Sequence, residues 1–509
     1  MNIVVMRRAS PLIALLAFAS VACGQDLASF EKRVSTKVLP NGLTVLVCER
    51  PEAPVFAFFT HVNVGADREV PGITGLAHMF EHMAFKGTDK IGTSNYVAEK
   101  AALVKVEEAY SAYDRERRRE VGRDDKKVAA LEKVWKDAIA AADKFVVKNE
   151  FGEVIERQGG AGLNAFTSSD ETGYHYSFPS NRLELWAYLE SERFLHPVMR
   201  EFYKERDVVF EERRMRTDNS PTGRMIEQFL AAAYTAHTYG RPVVGFASDL
   251  QTFSATDAMD FYKRFYIPSN MIVTVVGDVK PAEVFALMEK YFGRLPAASA
   301  PEPVRTTEPP QNSEREVALR EASQPWYIEG YHKPDARDKD EAVFDAISDL
   351  MSNGRVSRLH RSLVRDKKIA AFAGGFNDFP GPKYPNLFVF FAQTTPGHTP
   401  DEIQAAIHEE IVRLQKEDIS DEELKMIKTR ARAGLIRSLG DNEGLARQLG
   451  TMQALFGDWR ELFKQVEDLQ RVTKEDIRRV ANQTFAANNR TSGRIETLNE
   501  AGKPQGVQQ

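Results

Sequence analysis

The sequence is poor in cysteine: among its 509 residues only Cys23 and Cys48 carry a thiol. Two cysteines exclude the disulfide frameworks that stabilise small secreted domains. A chain of this length can instead bury large apolar cores, and hydrophobic residues make up 42% of it. Cys48 ends an apolar, strand-like run, so we expect it to be a small core residue.

The sequence also lacks an excess of charge of either sign. Its 68 lysine and arginine residues nearly balance its 73 aspartate and glutamate residues, which leaves a formal net charge of −5. Proteins that bind nucleic acid or anionic membranes through their overall charge are basic. We therefore expect no nucleic-acid partner.

Long apolar runs are missing except near the N-terminus. There, Arg7 and Arg8 precede an apolar run over residues 11–19, and small residues follow as far as residue 24. This order is typical of a secretory signal, and the run is short for a membrane span. Residues 1–24 are predicted to be a signal peptide, which implies export across the inner membrane to the periplasm. A lipid anchor on Cys23 is an alternative, although Ser20 stands where a lipoprotein signal usually has leucine.

The rest of the chain is predicted to form two α+β domains. The first, residues 33–295, opens with an Asn41-Gly42 turn signal and closes with a buried strand near its end. Residues 296–313 are rich in Pro, Ala, Ser, Thr and Glu and are typical of a linker. Residues 314–500 repeat a similar order of elements. This repetition predicts two homologous domains, each a mostly antiparallel sheet packed with helices.

A charged segment of about residues 100–150 is distinct from the rest of the first domain. Apolar residues recur there at every third or fourth position on both sides of a break near Gly122. This spacing predicts two amphipathic helices packed as an inserted antiparallel hairpin. Because charges of both signs alternate on it, a solvated surface is favoured over a nucleic-acid-binding arm.

The strongest chemical signal is the pair His78 and His82, with Glu81 between them. Residues four apart lie on one face of a helix, so two imidazoles can bind one zinc ion at about 2.0–2.1 Å. Glu81 projects toward the same region and can take a proton from a water that the metal acidifies. Two ordinary helix histidines are the alternative interpretation, which the carboxylate and the apolar context disfavour.

A catalytic zinc site needs a third protein ligand and one open position. Glu205 and Glu212 are seven residues apart and share one face of a predicted helix, whereas Glu211 points away from it. Spacing alone does not choose between Glu205 and Glu212. A charged surface helix without any ligand is the other interpretation.

These motifs resemble those of the pitrilysin/insulinase family of zinc peptidases, which includes the mitochondrial processing peptidases. The order His-x-x-Glu-His is the inverzincin arrangement, and residues 159–168 and 266–270 are also similar to family segments. The resemblance covers most of the chain after the signal. It implies a zinc endopeptidase with one Zn²⁺ per chain. The implied metal ligands are His78, His82 and Glu212, with Glu81 as catalytic base and Glu205 as a supporting carboxylate.

The resemblance also implies how a substrate binds. The segment that contains Asn164 and Ala165 would form an exposed edge strand beside the zinc, and a peptide would add to it as a further strand. Such a site takes extended peptides or unfolded protein segments. The local alternative for Asn164 is a turn residue after glycines.

Two features depart from the family pattern. The interval from His82 to Glu212 is longer than usual by roughly the predicted hairpin, which we interpret as an insertion at the rim of the site. In addition, family members supply an arginine and a tyrosine, seven residues apart, from a later domain to stabilise the oxyanion. Arg365 fits the arginine and is predicted to bind substrate. Phe372 stands in place of the tyrosine and has no hydroxyl to donate.

Phe372 predicts a partner chain: a homodimer, or a heterodimer with a related chain that supplies the missing donors. The alternatives are that Arg365 alone suffices or that another group substitutes. A competing function is a non-catalytic assembly or chaperone-like subunit of a peptidase complex, favoured by Phe372 and disfavoured by the intact metal and base residues. A protein with purely structural zinc is the third hypothesis.

Overall fold

Residues 30–498 are described by a computed structural model. The predicted signal peptide and Cys23 lie outside these residues. Within them, no helix combines the length and the apolar character needed to cross a membrane. Cys48 is fully buried, as the sequence predicted.

The first half of the chain is organised around a six-stranded sheet in the order β1-β2-β6-β3-β5-β4. Neighbouring strands are antiparallel except β2 and β6, which are parallel. Gly42, with φ +95°, forms the predicted turn between β1 and β2. The strands are β1 (Val34–Val38), β2 (Thr44–Glu49), β3 (Val55–Val62), β4 (Ala161–Thr167), β5 (Thr172–Pro179) and β6 (Met271–Gly277).

The helices of this half pack on and around the sheet. They are α1 (Leu76–Met83), α2 (Tyr96–Arg117), α3 (Asp125–Ala142), α4 (Glu150–Arg157), α5 (Leu183–Leu195), α6 (Phe202–Arg213), α7 (Pro221–Ala233), α8 (Ala247–Leu250), α9 (Ala255–Phe265) and α10 (Pro281–Tyr291).

The inserted hairpin predicted from the sequence is formed by α2 and α3. These two helices pack against each other, and residues 118–124 connect them. Gly122 in this connection has φ +70°, a value that glycine adopts without strain. We call α2 and α3 the α2–α3 hairpin.

The second half contains a five-stranded sheet in the order β7-β11-β8-β10-β9. Its strands are β7 (Arg315–Glu321), β8 (Trp326–Lys333), β9 (Ala370–Phe379), β10 (Asn386–Thr394) and β11 (Arg490–Thr497). Its helices are α11 (Glu341–Ser352), α12 (Pro400–Lys416), α13 (Asp421–Ser438), α14 (Asn442–Phe456), α15 (Glu461–Arg471) and α16 (Lys474–Thr484).

The two sheets share one topology. The strands β2-β6-β3-β5-β4 match β7-β11-β8-β10-β9 in order, and in both sets the first pair is parallel and the others are antiparallel. The edge strand β9 therefore corresponds to the edge strand β4. This correspondence confirms the predicted α+β class with two similar units.

Each sheet is buried on both faces, because alternate residues of a strand point to opposite sides. On β2, Val45 and Val47 belong to one hydrophobic core, and Leu46 and Cys48 belong to another. On β8, Tyr327 and Ile328 are divided between two cores in the same way.

The halves exchange one helix each, which the sequence did not predict. Helix α14 of the second half covers β3 and β6 of the first sheet, and α7 of the first half covers β7 and β11 of the second. The exchange is tight: a Cβ on Gly450 of α14 would lie 2.9 Å from the ring of Phe59. Each half therefore completes the core of the other.

Residues 296–313, predicted to be a linker, form neither helix nor strand. The segment is nevertheless attached to the surface of the first half. The Glu308 carboxylate accepts hydrogen bonds from the backbone N–H groups of Thr235, Ala236 and His237 at 2.8–2.9 Å. The division into domains at this segment stays a prediction.

Candidate metal centre

Helix α1 presents three polar side chains on an otherwise apolar helix. Its buried residues include Leu76, Met79 and Phe80, which pack in the core of the first half. The Glu69 carboxylate accepts hydrogen bonds from the N–H groups of Gly75 and Ala77 at 2.7 and 2.8 Å, which satisfies donors at the start of the helix. The face that remains carries His78, Glu81 and His82 into a cleft.

Helix α6 approaches this face from the other side of the cleft. Its buried face includes Phe202, Tyr203 and Val209. Glu205 and Glu212 lie on the face turned toward α1, as their spacing predicted, and both contact α1 histidines.

The structure brings His78, His82 and Glu212 together. Glu212 Oε2 lies 3.6 Å from His78 Nε2 and 3.3 Å from His82 Nε2. One ligand atom from each residue lies within 4.8 Å of the others. Tetrahedral ligands about 2.0–2.1 Å from zinc are themselves separated by about 3.3–3.4 Å. Two nitrogens and one carboxylate oxygen at this spacing fit one zinc ion.

A second group of potential ligands, Asp89, Glu192 and His196, does not fit a cation as well. Glu192 is fully buried, and its two oxygens pair with Lys90 at 2.8 Å and Arg294 at 2.7 Å. These two positive charges already neutralise the carboxylate that a metal would need.

The electrostatics favour neutral imidazole at His78. Burial, together with the nearby His82, lowers the pKa of His78 to about 4. At neutral pH the ring is therefore uncharged, and neutral imidazole is the form that binds metals.

Glu205 contacts His82 on the side away from Glu212. Its Oε2 lies 3.4 Å from His82 Nδ1, and its other oxygen pairs with Lys86. Burial raises the pKa of Glu205, but the hydrogen bonds from His82 and Lys86 outweigh it and hold the pKa below its usual value. A carboxylate on Nδ1 fixes the ring orientation and leaves Nε2 for the metal. This is the geometry expected of a supporting carboxylate.

Glu81 lies beside the proposed ligands without joining them. Its Oε2 is 4.0 Å from His78 Nε2 and accepts a 2.8 Å hydrogen bond from the Thr167 hydroxyl. Burial raises the pKa of Glu81 above its usual value, although the Thr167 hydrogen bond opposes this. A carboxyl group with a raised pKa is suited to accept and return a proton.

Sequence reasoning gave no role to Lys86, Thr167 or Arg216. Arg216 Nη1 lies 2.7 Å from Glu212 Oε1, the oxygen turned away from the histidines. Arg216 follows Glu212 by four residues, so helical spacing could have indicated it, whereas Lys86 lies in the loop after α1. Thr167 had no such local signal, because only the packing of β4 against α1 brings it to Glu81.

The edge strand β4 borders the same cleft, which encloses about 1130 Å³. Asn164 and Ala165 both line it, with Asn164 exposed and Ala165 buried. Among residues 30–498, β4 pairs with β5 on one side only and leaves its other edge without a partner strand, although the Ala165 N–H donates to Asn164 Oδ1 at 2.9 Å. Such an edge can add an extended peptide as a further strand.

The structure does not bring Arg365 to this cleft. Its guanidinium pairs with the neighbouring Asp366 at 2.6 and 2.9 Å on the surface of the second half. Phe372 lies on the edge strand β9 and is 44% exposed. Neither residue lines the cleft of its own chain.

Two family models match the chain. The model described as "Insulinase (Peptidase family M16)" matches residues 44–116 and 141–246, and "Peptidase M16 inactive domain" matches residues 252–431. The chain belongs to the pitrilysin/insulinase peptidase family. The insulinase model leaves out residues 117–140, which contain the connection and most of the second helix of the α2–α3 hairpin.

Relatives of the chain include named zinc proteases of this family. The zinc protease PqqE of Helicobacter pylori is 29% identical over 471 residues, which cover 90% of this chain and 91% of that protein. The protein in the crystal structure of a protease from Helicobacter pylori is 27% identical in sequence to this chain. The two structures superpose with a TM-score of 0.76, over 91% of this chain and 99% of the other.

A more distant neighbour shows the fold alone. The periplasmic protease PqqL from Escherichia coli is 20% identical, with a TM-score of 0.67. The match covers 92% of this chain but only 48% of PqqL.

Proposed function

We propose that this member of the insulinase family is a zinc-dependent endopeptidase that hydrolyses extended peptides or unfolded protein segments. The observation that carries the proposal is the spacing of His78, His82 and Glu212, which suits tetrahedral zinc, with Glu81 directly beside it. The relatives named zinc proteases support it.

The residues of the cleft have separate parts in this reaction. His78, His82 and Glu212 would hold the zinc ion, which when bound would supply the Lewis acidity that polarises the scissile carbonyl and acidifies water. Glu81 accepts a proton from the attacking water and returns it to the leaving amine. The Thr167 hydroxyl restrains rotation of the Glu81 carboxylate.

The substrate backbone is held separately from this machinery. An extended segment pairs with the free edge of β4 near Asn164 and Ala165, which sets the position of the scissile bond along the cleft. A folded substrate cannot form such pairs, because its backbone groups are already engaged.

We further propose that a second chain completes the site. Arg365 lies outside the cleft of its own chain, so an oxyanion contact by Arg365 has to be made in the cleft of another copy or of a related chain.

In the same proposal the protein acts in the periplasm, which fits the signal-like N-terminus and the periplasmic neighbour PqqL.

The hydrolase proposal is tested with purified chain and the variant Glu81→Gln. We expect one zinc per chain in both proteins. The wild type should cleave an unstructured peptide and Glu81→Gln should not. A chelator should abolish the wild-type cleavage, and added zinc should restore it. The control is Glu467→Gln, since Glu467 is exposed, pairs with Arg471 and does not line the cleft. Full activity of Glu81→Gln, or a wild-type chain that binds no zinc, would reject the proposal.

The partner proposal is tested by mixing two inactive variants. We expect Arg365→Ala and Glu81→Gln to be inactive separately and to regain activity when refolded together, because a mixed dimer contains one site with both residues intact. No recovery in the mixture would contradict completion by a second copy of this chain, and wild-type activity of a chain that stays monomeric would contradict completion by any second chain.

A non-catalytic subunit is the second candidate function, and Phe372 favours it because phenylalanine cannot donate a hydrogen bond to an oxyanion. This candidate predicts zinc in the wild-type chain but no peptide cleavage, alone or in any mixture of variants.

A further inference from the structure

The α2–α3 hairpin contacts α6 directly and is linked to the loop after α1 through Arg200. Its outer face is exposed and charged, but Glu99, Val106, Tyr110, Trp135 and Ala142 are buried. Two of these, Glu99 and Tyr110, make polar contacts that lead to α1 and α6, respectively. An insertion at the rim of a cleft needs no such contacts in order to fold.

The first contact joins α2 to the loop that follows α1. Glu99 is fully buried, and its carboxylate accepts hydrogen bonds from Arg200 Nε at 2.6 Å and Nη2 at 2.8 Å. The same guanidinium donates to the backbone carbonyls of Lys86 at 2.6 Å, Thr88 at 3.0 Å and Ile91 at 3.1 Å. Arg200 thus fixes the loop over residues 86–92, and Glu99 fixes Arg200.

Glycine makes this arrangement sterically possible. Gly92 has φ +88°, and a Cβ at this position would lie 2.6 Å from Arg200 Nη1. The loop therefore wraps directly around the guanidinium, and any displacement of Arg200 displaces the loop.

The loop is connected to a proposed ligand through Lys86. The Lys86 ammonium pairs with Glu205, and Glu205 Oε2 lies 3.4 Å from His82 Nδ1. A sequence of contacts therefore runs from Glu99 through Arg200, Lys86 and Glu205 to His82.

The second contact joins the hairpin to α6. The Tyr203 hydroxyl donates to Glu107 Oε2 at 2.6 Å, and Arg206 Nη1 donates to the Tyr110 hydroxyl at 2.9 Å. The Arg206 guanidinium also lies 5.8 Å from the centre of the Trp135 ring. Tyr203 and Arg206 flank Glu205 on α6, so these contacts set the position of the helix that carries Glu205 and Glu212.

A buried ion pair such as Glu99–Arg200 is weak evidence for stability. The free-energy cost of removing both charges from water offsets much of their electrostatic attraction. Well-packed apolar residues of similar volume often stabilise a protein equally well. What the pair adds here is a fixed geometry for three backbone carbonyls, because a bidentate guanidinium has one favoured orientation.

We propose that the α2–α3 hairpin positions the metal centre, with Glu99, Glu107 and Tyr110 as positioning residues that hold α1 and α6 at the separation zinc binding requires. This inference rests on the proposed zinc site. Its consequence is that zinc affinity depends on residues of the α2–α3 hairpin that do not touch the metal.

The test measures zinc affinity by competition with a chromophoric chelator, and ligand geometry by the visible spectrum of the Co²⁺-substituted protein. We expect Glu99→Gln to raise the zinc Kd about tenfold, at the low end of the effect of changing groups that orient metal ligands, and to change the Co²⁺ spectrum. The matched control is Asp137→Asn, the same carboxylate-to-amide change on the outer face of the hairpin, where Asp137 pairs only with Lys133 among the described residues. It should bind zinc as the wild type does.

Milder variants keep the test decisive if Glu99→Gln does not fold. Glu107→Gln, at a half-buried position, and Tyr110→Phe, which keeps the buried ring, each remove a hydrogen bond to α6, and we expect each to raise the zinc Kd severalfold with a normal circular dichroism spectrum. Wild-type affinity and an unchanged Co²⁺ spectrum in the folded variants would overturn the positioning role alone. A wild-type chain that binds no zinc would instead overturn the proposed function and, with it, this inference.

Discussion

At the scale of single residues, the hydroxyl of Thr167 is the contact of Glu81 that can be removed most cleanly. We expect Thr167→Val to lower kcat by about tenfold or more, because a hydrogen bond to a charged group contributes about 1.5–3 kcal/mol. Zinc content should not change, since Thr167 contacts the base and none of the proposed ligands. The measurement is steady-state kinetics on an unstructured peptide.

Thr167→Ser is the control, because serine keeps the hydroxyl and loses only a methyl group. It should retain most of the activity. Equal kinetics for the Val and Ser variants would show that the hydrogen bond has no part in positioning Glu81.

The sequence predicted those site residues that one helix brings together. His78, Glu81 and His82 lie within two turns of α1, so their mutual position follows from helix geometry alone. The choice of Glu212 over Glu205 needed the family resemblance, because both lie on one face of α6. Thr167 could not be predicted, because its contact with Glu81 depends on how β4 packs against α1.

At the scale of elements, the exchanged helix α14 depends on a glycine. We expect Gly450→Ala to destabilise the protein by about 1–3 kcal/mol, although alanine favours helices, because overpacking a core costs about that much. The added methyl group would lie 2.9 Å from the Phe59 ring and 3.0 Å from the Thr274 hydroxyl. Urea unfolding measures the difference.

Gly434→Ala in α13 is the matched control. A Cβ at this position meets no other atom within 4 Å. The same substitution should therefore stabilise the protein by up to about 1 kcal/mol through helix propensity. A Gly450→Ala variant as stable as Gly434→Ala would contradict the close packing of α14 on the first sheet.

The sequence predicted most individual elements but not the exchange between halves. The Asn41-Gly42 turn, the α2–α3 hairpin and buried strands such as β3 and β6 follow from local patterns of turn residues and apolar spacing, whereas β5 and β7 were not predicted. Strands such as β2, apolar on both faces, indicate burial on both sides. They do not indicate which helix covers each face, because any apolar helix surface of suitable shape satisfies that pattern.

At the scale of the whole molecule, Lys383 of the second half enters a buried polar site of the first. Its ammonium donates to Asn63 Oδ1 at 2.6 Å and lies 3.5 Å from Asp67, and its backbone N–H donates to Asp170. We expect Lys383→Met to destabilise the protein by about 1.5–3 kcal/mol, because it removes a charge-assisted hydrogen bond to Asn63 and one of the two cations beside Asp67, the other being Arg68 at 3.2 Å. Urea unfolding checks this, with the exposed Lys280→Met as control.

The same site predicts how stability changes with pH. Burial, with the nearby Asp67 carboxylate, raises the pKa of Asp170 to about 7, although the Tyr239 hydroxyl and Lys383 oppose this. Between about pH 4 and 7 the folded chain therefore holds a proton at Asp170 that the unfolded chain has released. The protonated Asp170 therefore contributes its full share to the free energy of unfolding at about pH 4. That share is lost as the pH rises through 7.

The variant Asp170→Asn isolates this effect. We expect the melting temperature of the wild type to fall more steeply than that of the variant between pH 5 and 8. Parallel pH profiles for the two proteins would show that Asp170 is ionised throughout that range.

The reciprocal placement of α7 and α14 governs how the molecule comes apart. Neither half can unfold alone, because the unfolding of one half exposes an apolar sheet face of the other to water. Calorimetry should accordingly record a single heat-absorption peak rather than two, and a protease cut between residues 296 and 312 should yield two fragments that stay associated until denaturant is added. Expressed separately, each fragment would be insoluble, so the gene cannot be shortened to its metal-binding half.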